Sequence, residues 1–456
     1  MPTCRTLRKL RAGSGDAGSS PDSICVHPAR QALVLGDYSP REFDYNYLDT
    51  TKPRGMDTMA KKKSTARRTS APKADKTKVL VFVGTRKGGF IFTSDRKRRE
   101  WKVSGPHFKG WTVMHMTLDP RDRRVHAATS HDVYGPNTHY SDDLGKTWTQ
   151  SKESPAFPQP STSGRPLGTP DEAADPEAAK SKPEKVIKPW NITPGRVDEP
   201  GVLYAGIEPA APFKSIDRGE TWHIVDGLYQ HPHRPTWFPG NGGLCLHTII
   251  LDPTNPNRMY VGISTGGCYR TDDGGATWHP RNKNVRADFL PDKFPEYGQC
   301  LHKMVMHPGR PDVLYQQNHC GVYRSDNGGD DWIDIGEGRL PSRFGFPIAV
   351  HPHDPKTIYV VLEESDAYRV SVDGKFAVWR SKNGGDSWKR LNRGLPDRAH
   401  LVALREAMAV DTLDDAGVYV GANTGQVFHS RDAGDSWGLL VDFLPPVLSV
   451  ETAVIG

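Results

Sequence analysis

Carboxylates suited to acid–base chemistry stand at Glu406, Glu363, Glu364 and Asp132. Cleavage of a glycosidic bond needs two such groups, one acting as the acid and the other as a base or nucleophile. Glu406 is the first candidate, Glu363 or Glu364 the second, and Asp132 the third. The alternative is structural: Glu406 pairs with its neighbour Arg405, and the two adjacent glutamates belong to a solvated loop.

Two Cys-x-His pairs could bind a divalent metal ion, namely Cys245 with His247 and Cys300 with His302. Residues two apart on a strand face the same way, and thiolate sulfur and imidazole nitrogen are both zinc ligands. His319 lies one loop beyond the second pair. The alternative is that each cysteine is a small buried packing residue and that no cofactor is bound.

The elements that position these residues are indicated by a repeat. Its pattern is S-x-D-x-G-x-T-W, in which the Asp binds backbone N–H groups of a turn, the Gly accepts positive φ, and the Trp packs between neighbouring sheets. Good copies occur at residues 141–148, 215–222, 271–278, 325–332, 381–388 and 430–437, and a degenerate copy at residues 93–101.

Strand patterns precede each turn. In one repeat, residues 247–253, 258–264 and 267–271 read as three strands, and a fourth begins at Thr277, which makes one four-stranded blade. The first repeat lacks a first strand, whereas residues 447–455 form a strand without a partner. We therefore predict an all-β fold, a seven-bladed β-propeller over residues 77–456, whose first blade is closed by the C-terminal strand.

The repeated turn resembles the Asp box, or bacterial neuraminidase repeat, of sialidases, sortilin-type receptors, xyloglucan-cleaving glycoside hydrolases and photosystem assembly propellers. From residue 79 to its end, the chain is most similar to bacterial sialidase-like and glycosyl-hydrolase-like proteins. The resemblance to sialidases implies a Phe-Arg-Ile-Pro motif, three arginines and a Tyr nucleophile paired with Glu. That motif is absent, and only Arg86 stands at the corresponding position. True sialidase activity is therefore not expected.

The resemblance also implies that the functional mouth lies opposite the repeated turns, among the second-to-third loops and the connections between blades. We expect a small polar or carbohydrate ligand in this central funnel. The predicted ligand-binding residues are Arg405, Arg86, His247, His302, His319, His131, Asn423 and Trp190. The alternative is a non-catalytic scaffold that binds a protein partner.

Charge is concentrated at the N-terminus. Residues 1–78 carry 16 Lys+Arg and 8 Asp+Glu, whereas the rest carry 44 and 46, so the basic character belongs to a tail. A nucleic-acid partner is therefore not expected. We predict that residues 1–76 are a disordered extension, of which residues 1–55 are consistent with a mis-assigned start before Met56 or Met59. The Pro-, Ser-, Ala- and Glu-rich residues 151–188 are predicted to be a disordered insertion.

The composition also indicates which classes of protein, such as membrane or secreted proteins, the sequence does not fit. The mean hydropathy is −0.62, and no run of about eighteen apolar residues exists, so no membrane association is expected. The sequence contains no apolar secretory signal and no disulfide framework, which favours a reducing cytoplasm. We expect a monomer.

Overall fold

The computed structural model describes residues 75–158 and 184–456. These residues form seven four-stranded antiparallel sheets arranged as a β-propeller, which confirms the predicted all-β fold. The predicted N-terminal extension lies almost wholly outside the described residues, as does most of the predicted insertion. None of the helices in the described ranges has the length and apolar composition of a membrane span.

The first four blades follow in chain order. Blade 1 contains β1 (Lys78–Thr85), β2 (Gly88–Asp95) and β3 (Lys102–His107). Blade 2 contains β4 (Thr112–Leu118), β5 (Val125–His131), β6 (Gly135–Ser141) and β7 (Thr149–Gln150). Blade 3 contains β8 (Lys188–Pro194), β9 (Leu203–Glu208), β10 (Pro212–Ser215) and β11 (His223–Ile224). Blade 4 contains β12 (Leu246–Leu251), β13 (Met259–Ile263), β14 (Gly267–Thr271) and β15 (His279–Pro280).

The last three blades repeat this order. Blade 5 contains β16 (Leu301–His307), β17 (Arg310–Asn318), β18 (Gly321–Ser325) and β19 (Ile333–Asp334). Blade 6 contains β20 (Gly345–His351), β21 (Asp354–Leu362), β22 (Val378–Ser381) and β23 (Lys389–Leu391). Blade 7 contains β24 (Met408–Val410), β25 (Val418–Gly421), β26 (Val427–Ser430) and β27 (Gly438–Val441). The helices are short: α1 (Asp226–Tyr229) and the 3₁₀ turns Arg234–Thr236 and Val372–Gly374.

The C-terminal strand closes the ring. Strand β28 (Val447–Ile455) pairs antiparallel with β1, with Ile455 opposite Lys78, and takes the innermost position of blade 1. The predicted closure is therefore confirmed. Pairing the two chain ends in one blade protects the strand edges that an open sheet exposes.

The apolar core lies between the blades rather than inside any one of them. Middle strands such as β9 are buried along their whole length because sheets pack against both of their faces. Seven apolar clusters among the described residues each join neighbouring blades. The ring of blades therefore holds the inner strand ends, where the candidate residues lie, in fixed positions.

The repeated turn has the predicted hydrogen bonds. Ser141 Oγ donates to Asp143 Oδ1 at 2.8 Å and accepts from the Gly145 N–H at 2.8 Å, while the Asp143 carboxylate accepts from the N–H and Oγ1 of Thr147 at 2.9 and 2.7 Å. Hydrogen bonds from Thr147 and Ser141 lower the pKa of Asp143 to about 2. The same carboxylate turn recurs at Asp217, Asp273 and Asp432, and with an amide at Asn327 and Asn383.

The tryptophan that ends each turn reaches the preceding blade, as predicted. Trp222 of blade 3 donates from Nε1 to Thr138 Oγ1 of blade 2 at 3.2 Å, and Trp332 of blade 5 donates to the Arg281 carbonyl, just after blade 4, at 2.9 Å. These turns join third to fourth strands and therefore fasten blade to blade.

Candidate functional site

A cavity of about 680 Å³ lies where the inner strands begin. Its walls come from the loops that join second to third strands and from the connections between blades, the positions at which the sequence predicted a functional mouth. The wall is partly charged or polar and partly aromatic. Its polar members include Arg86, Asp132, Asn241, Thr265, Arg405 and Glu406, and its aromatic members are Trp190, Phe238, Phe289 and Phe346.

Glu406 is a buried carboxylate of this wall and is 4% exposed. Its Oε2 accepts a hydrogen bond from Lys303 Nζ, on the inner strand β16 of blade 5. Its Oε1 is also buried and accepts no hydrogen bond within the described residues. The structural alternative paired Glu406 with Arg405, but the ion pair is formed with Lys303. One carboxylate oxygen of Glu406 is therefore fixed and the other is unsatisfied.

Arg405 is a buried cation without a carboxylate partner in the described part of the chain. It is 9% exposed; Nη1 lies 3.3 Å from Cys245 Sγ, and the guanidinium carbon lies 5.4 Å from the centre of the Trp190 ring. Lys188 Nζ lies 5.5 Å from the same ring and pairs with Glu208 at 2.9 Å. The indole of Trp190 is thus flanked by two cations, which its electron-rich face stabilises.

Arg86 and Asp132 occupy the exposed rim of the cavity. Neither side chain forms a hydrogen bond or ion pair with another described residue, and Arg369 joins them on the lining. Lys303 neutralises Glu406, and Glu208 neutralises Lys188. The charged side chains of the lining that have no oppositely charged partner are therefore three arginines and one aspartate. The cavity is therefore electropositive. Its lining includes no tyrosine among the described residues.

Glu363 and Glu364 do not line this cavity. Glu363 is 1% exposed, and neither carboxylate oxygen has a partner in the described residues. Burial raises the pKa of Glu363 to about 7, although the Arg369 charge opposes the shift. Glu364 is exposed; its N–H donates to the Val370 carbonyl oxygen, and its carbonyl oxygen accepts a hydrogen bond from Ser342 Oγ. The two predicted partners of Glu406 therefore do not join it on the cavity wall.

Cys300, His302 and His319 form a compact cluster on the cavity wall. One possible ligand atom from each lies within 4.8 Å of the other two. Burial raises the pKa of the Cys300 thiol to about 11, with the Arg405 charge opposing the shift. Burial also lowers the pKa of His302 well below its ordinary value, and the Arg405 charge adds to this shift. Both groups are therefore neutral near pH 7 in the metal-free protein.

The other predicted Cys-x-His pair is not brought into the cluster, so the predicted set of Cys245, His247, Cys300 and His302 is not assembled. The Cys245 sulfur contacts the Arg405 guanidinium and lies 3.1 Å from Ser264 Oγ. His247 is fully buried, with Nδ1 2.9 Å from Thr248 Oγ1 and Nε2 3.0 Å from the Leu301 carbonyl oxygen. A cation beside the thiol and two occupied ring nitrogens leave this pair unavailable to a metal ion.

His131 and Asn423 order loops and are not on the cavity wall. His131 Nδ1 accepts hydrogen bonds from the N–H groups of Val133 and Tyr134 at 3.1 and 3.4 Å. Asn423 Oδ1 accepts from the Val402 N–H at 3.3 Å. Residues directly after a second strand often fold back onto their own loop, which sequence position alone does not reveal.

Sequence reasoning missed Lys303, Lys188, Arg369 and Asn241. Lys303 follows His302 on β16, where a pairing irregularity between Leu301 and Lys303 changes the alternation of the inner strand. Asn241 belongs to the connection between β11 of blade 3 and β12 of blade 4. Within it, Gly243 has φ +91°, and a Cβ there would collide with the Glu208 carboxylate. The Gly-rich composition of this segment was the available signal.

No protein-family model matches the chain. It is similar to a xyloglucanase of Acetivibrio thermocellus, at 23% identity over 281 residues, which cover 54% of this chain and 32% of that protein. It is also similar to a probable oligoxyloglucan-reducing end-specific xyloglucanase of Neosartorya fischeri, at 26% identity over 229 residues, which cover 43% of this chain and 26% of that protein. The chain thus spans a third or less of the length of these relatives.

Solved structures with a similar arrangement include an ancestral GH74 enzyme, with 14% identity, a TM-score of 0.47, and coverage of 75% of this chain and 38% of that chain. A GH74 enzyme of Niastella koreensis has 13% identity, a TM-score of 0.43, and coverage of 81% and 68%. The sequence relatives are xyloglucanases rather than sialidases. The chain is accordingly a glycoside-hydrolase-like β-propeller.

Proposed function

We propose that the protein binds a carbohydrate in its central cavity and that the bound sugar lies against Trp190. The observation that carries this proposal is the combination of aromatic rings and hydrogen-bonding groups on the wall of one cavity. The cavity volume of about 680 Å³ suits a mono- or disaccharide unit. The similarity to xyloglucanases supports the same class of ligand.

The aromatic residues fit this role because a sugar ring presents C–H groups on its faces and hydroxyl groups at its edge. Phe238 and Phe289 lie at the cavity and are 42% and 41% exposed, so both rings are accessible to a bound ligand. The Trp190 Nε1–H is buried and has no partner in the described residues, so the ring rather than the N–H is the part of the indole that a sugar can contact.

Hydrolysis is the extension of this proposal, and it assigns roles to Glu406 and Asp132. Both residues line the cavity, whereas Glu363 and Glu364 do not. Lys303 fixes one carboxylate oxygen of Glu406 while the other has no partner in the described residues, and we assign Glu406 the part of base or nucleophile. Asp132, on the rim, would supply the acid on the other side of the scissile bond.

The test is calorimetric titration of the full chain with xyloglucan oligosaccharides and with other neutral and acidic oligosaccharides. We expect saturable binding that is weakened at least about tenfold by Trp190→Ala, because the aromatic stacking surface is lost. Phe443→Ala is the matched control, because Phe443 is 91% exposed and lies outside the cavity lining.

Release of reducing sugar tests the extension separately. Activity that falls at least about 100-fold in both Glu406→Gln and Asp132→Asn, with binding retained, would support hydrolysis. Failure of every saccharide to bind the wild-type protein would overturn the carbohydrate proposal and favour the protein-partner alternative. Binding without turnover would overturn only the extension.

A further inference from the structure

We propose that Cys300, His302 and His319 form a three-ligand site for a transition-metal ion such as Zn²⁺, with the fourth coordination position open to the central cavity. The donor atoms of these residues lie within 4.8 Å of one another, and all three residues line the cavity. Three protein ligands and one open position are the arrangement of catalytic rather than structural zinc sites.

The topology of blade 5 brings the three ligands together. Cys300 immediately precedes β16, His302 is its second residue, and His319 follows the end of β17, the strand paired with β16. The His319 N–H donates to the Cys300 carbonyl oxygen at 2.9 Å, which joins the two segments at the cavity end of the hairpin. The site is thus built on two hydrogen-bonded strand ends.

Each imidazole ring has a hydrogen-bond partner on one nitrogen, which leaves the other nitrogen free to bind a metal ion. His302 Nδ1 lies 2.6 Å from the Gly345 carbonyl oxygen, and His319 Nε2 lies 3.2 Å from Asp366 Oδ2. Because these oxygens only accept hydrogen bonds, the bonded nitrogens carry the protons, so His302 Nε2 and His319 Nδ1 keep their lone pairs. Metal-binding histidines are oriented in the same way by carbonyl or carboxylate oxygens.

The ligand set selects the class of metal. One thiolate and two imidazoles suit Zn²⁺, and also Co²⁺ as a substitute, but not Mg²⁺ or Ca²⁺, which prefer oxygen ligands. Zinc–ligand bonds of about 2.0–2.3 Å place tetrahedral donors roughly 3.3–3.6 Å apart, so the side chains need to close by about an ångström on binding. Rotation of the partly exposed His319 can supply that movement.

The surroundings favour an anionic or polar fourth ligand. A divalent ion on one thiolate keeps a net positive charge, and Arg405 adds another to the same wall. A water molecule, a carboxylate, a phosphate or a sugar hydroxyl oxygen can therefore complete the coordination. This metal site is independent of carbohydrate binding, because its ligands are defined without any sugar.

Cobalt binding provides the test. We would remove metal from the full-length protein with a chelator and titrate it with Co²⁺, expecting one ion per chain and a thiolate-to-cobalt charge-transfer band in the near ultraviolet. Zn²⁺ should abolish the band by displacement. Cys300→Ser should abolish the band, and His302→Ala should weaken Co²⁺ binding by roughly 100-fold or more.

Cys320→Ser is the matched control, because Cys320 is a buried free cysteine next to His319 that does not belong to the cluster. It should retain the band. Asp366→Asn should weaken Co²⁺ binding roughly 10–100-fold, because Asp366 orients His319. Asp366 is on an exposed loop, so this variant tests the site even if the substitution of a buried ligand prevents folding. A wild-type protein without the band, or a band that survives Cys300→Ser, would overturn the proposal.

Discussion

Lys303 on the inner strand of blade 5 forms an ion pair with Glu406 just before the inner strand of blade 7, two blades away. The side chains are 19% and 3% exposed, so water screens the pair little. His115 Nε2 of blade 2 lies 3.3 Å from Glu451 Oε1 of blade 1 and forms a second polar contact between inner strands. Polar pairs between inner strands therefore join blades in addition to the apolar clusters.

Glu406→Gln should destabilise the protein because it leaves the Lys303 ammonium buried without its carboxylate. Removing one member of a buried pair costs about 3–5 kcal/mol when no substitute exists; because Lys303 is 19% exposed and the new amide oxygen can still accept its hydrogen bond, we expect roughly 2 kcal/mol or more. Denaturant unfolding followed by tryptophan fluorescence measures the change.

The double variant Glu406→Gln/Lys303→Met is the control for this prediction. It removes both charges and should recover most of the loss in unfolding free energy, as a double-mutant cycle would detect. Additive effects of the two single variants would contradict an energetic coupling between Lys303 and Glu406. The cycle also separates a loss of folding from a loss of ligand binding in Glu406→Gln.

Glu363 should make the protein less stable as the pH rises. In the unfolded chain a glutamate loses its proton near pH 4.5, whereas in the folded protein the pKa of Glu363 is about 7. The folded state thus holds more protons between these values, and the free energy of unfolding falls by roughly 3 kcal/mol across that window. Below pH 4.5 this contribution is fully present.

Comparison with Glu363→Gln isolates this effect, because the amide does not titrate. The variant should gain stability relative to the wild type between pH 5 and pH 8, as measured by denaturant unfolding. Glu364→Gln, which changes the exposed neighbour, should follow the wild-type pH dependence. Parallel curves for Glu363→Gln and the wild type would mean that Glu363 ionises normally.

The fold could be predicted from the sequence because its strongest signals are local. The repeated turn closes through hydrogen bonds between residues two and four apart, such as Ser141 with Asp143 and Gly145, so eight residues reveal it wherever they occur. The missing first strand and the extra last one then determined the closure of the ring. Each step needed only pattern and order along the chain.

The candidate site was predicted less well because its contacts join residues far apart in sequence. Glu406 pairs with Lys303, 103 residues away, and not with its neighbour Arg405. His247 and His302 share the same Cys-x-His pattern, yet only His302 reaches the cavity wall. Both histidines stand at the same pairing irregularity at the start of β12 and β16, so neither the motif nor the strand pairing indicates which of them reaches the cavity.

Asp273→Ala should lower the thermal midpoint of unfolding by roughly 1–3 °C. The Asp273 carboxylate, in the turn between β14 and β15, accepts hydrogen bonds from the Thr277 N–H, Thr277 Oγ1 and Thr271 Oγ1, and alanine cannot replace it. Asp273→Asn is the matched control. Asn383 holds the same place in blade 6, where its Nδ2 donates to Ser387 Oγ at 2.9 Å, so an amide is compatible with the turn. Equal losses in both variants would contradict this account, and scanning calorimetry can distinguish them.

Arg405 should make the cavity prefer acidic saccharides. Its guanidinium is buried on the cavity wall without a carboxylate partner in the described residues, and a carboxylate or phosphate on the ligand could accept its N–H groups. We expect an acidic oligosaccharide to bind at least about tenfold more tightly than its neutral counterpart at low salt, and Arg405→Met to remove most of that difference.

Arg324→Met, which changes a partly exposed arginine outside the cavity lining, is the control. Calorimetric titrations of matched neutral and acidic sugars measure the preference, and equal affinities for both in the wild-type protein would show that Arg405 has a purely structural role against Trp190 and Cys245.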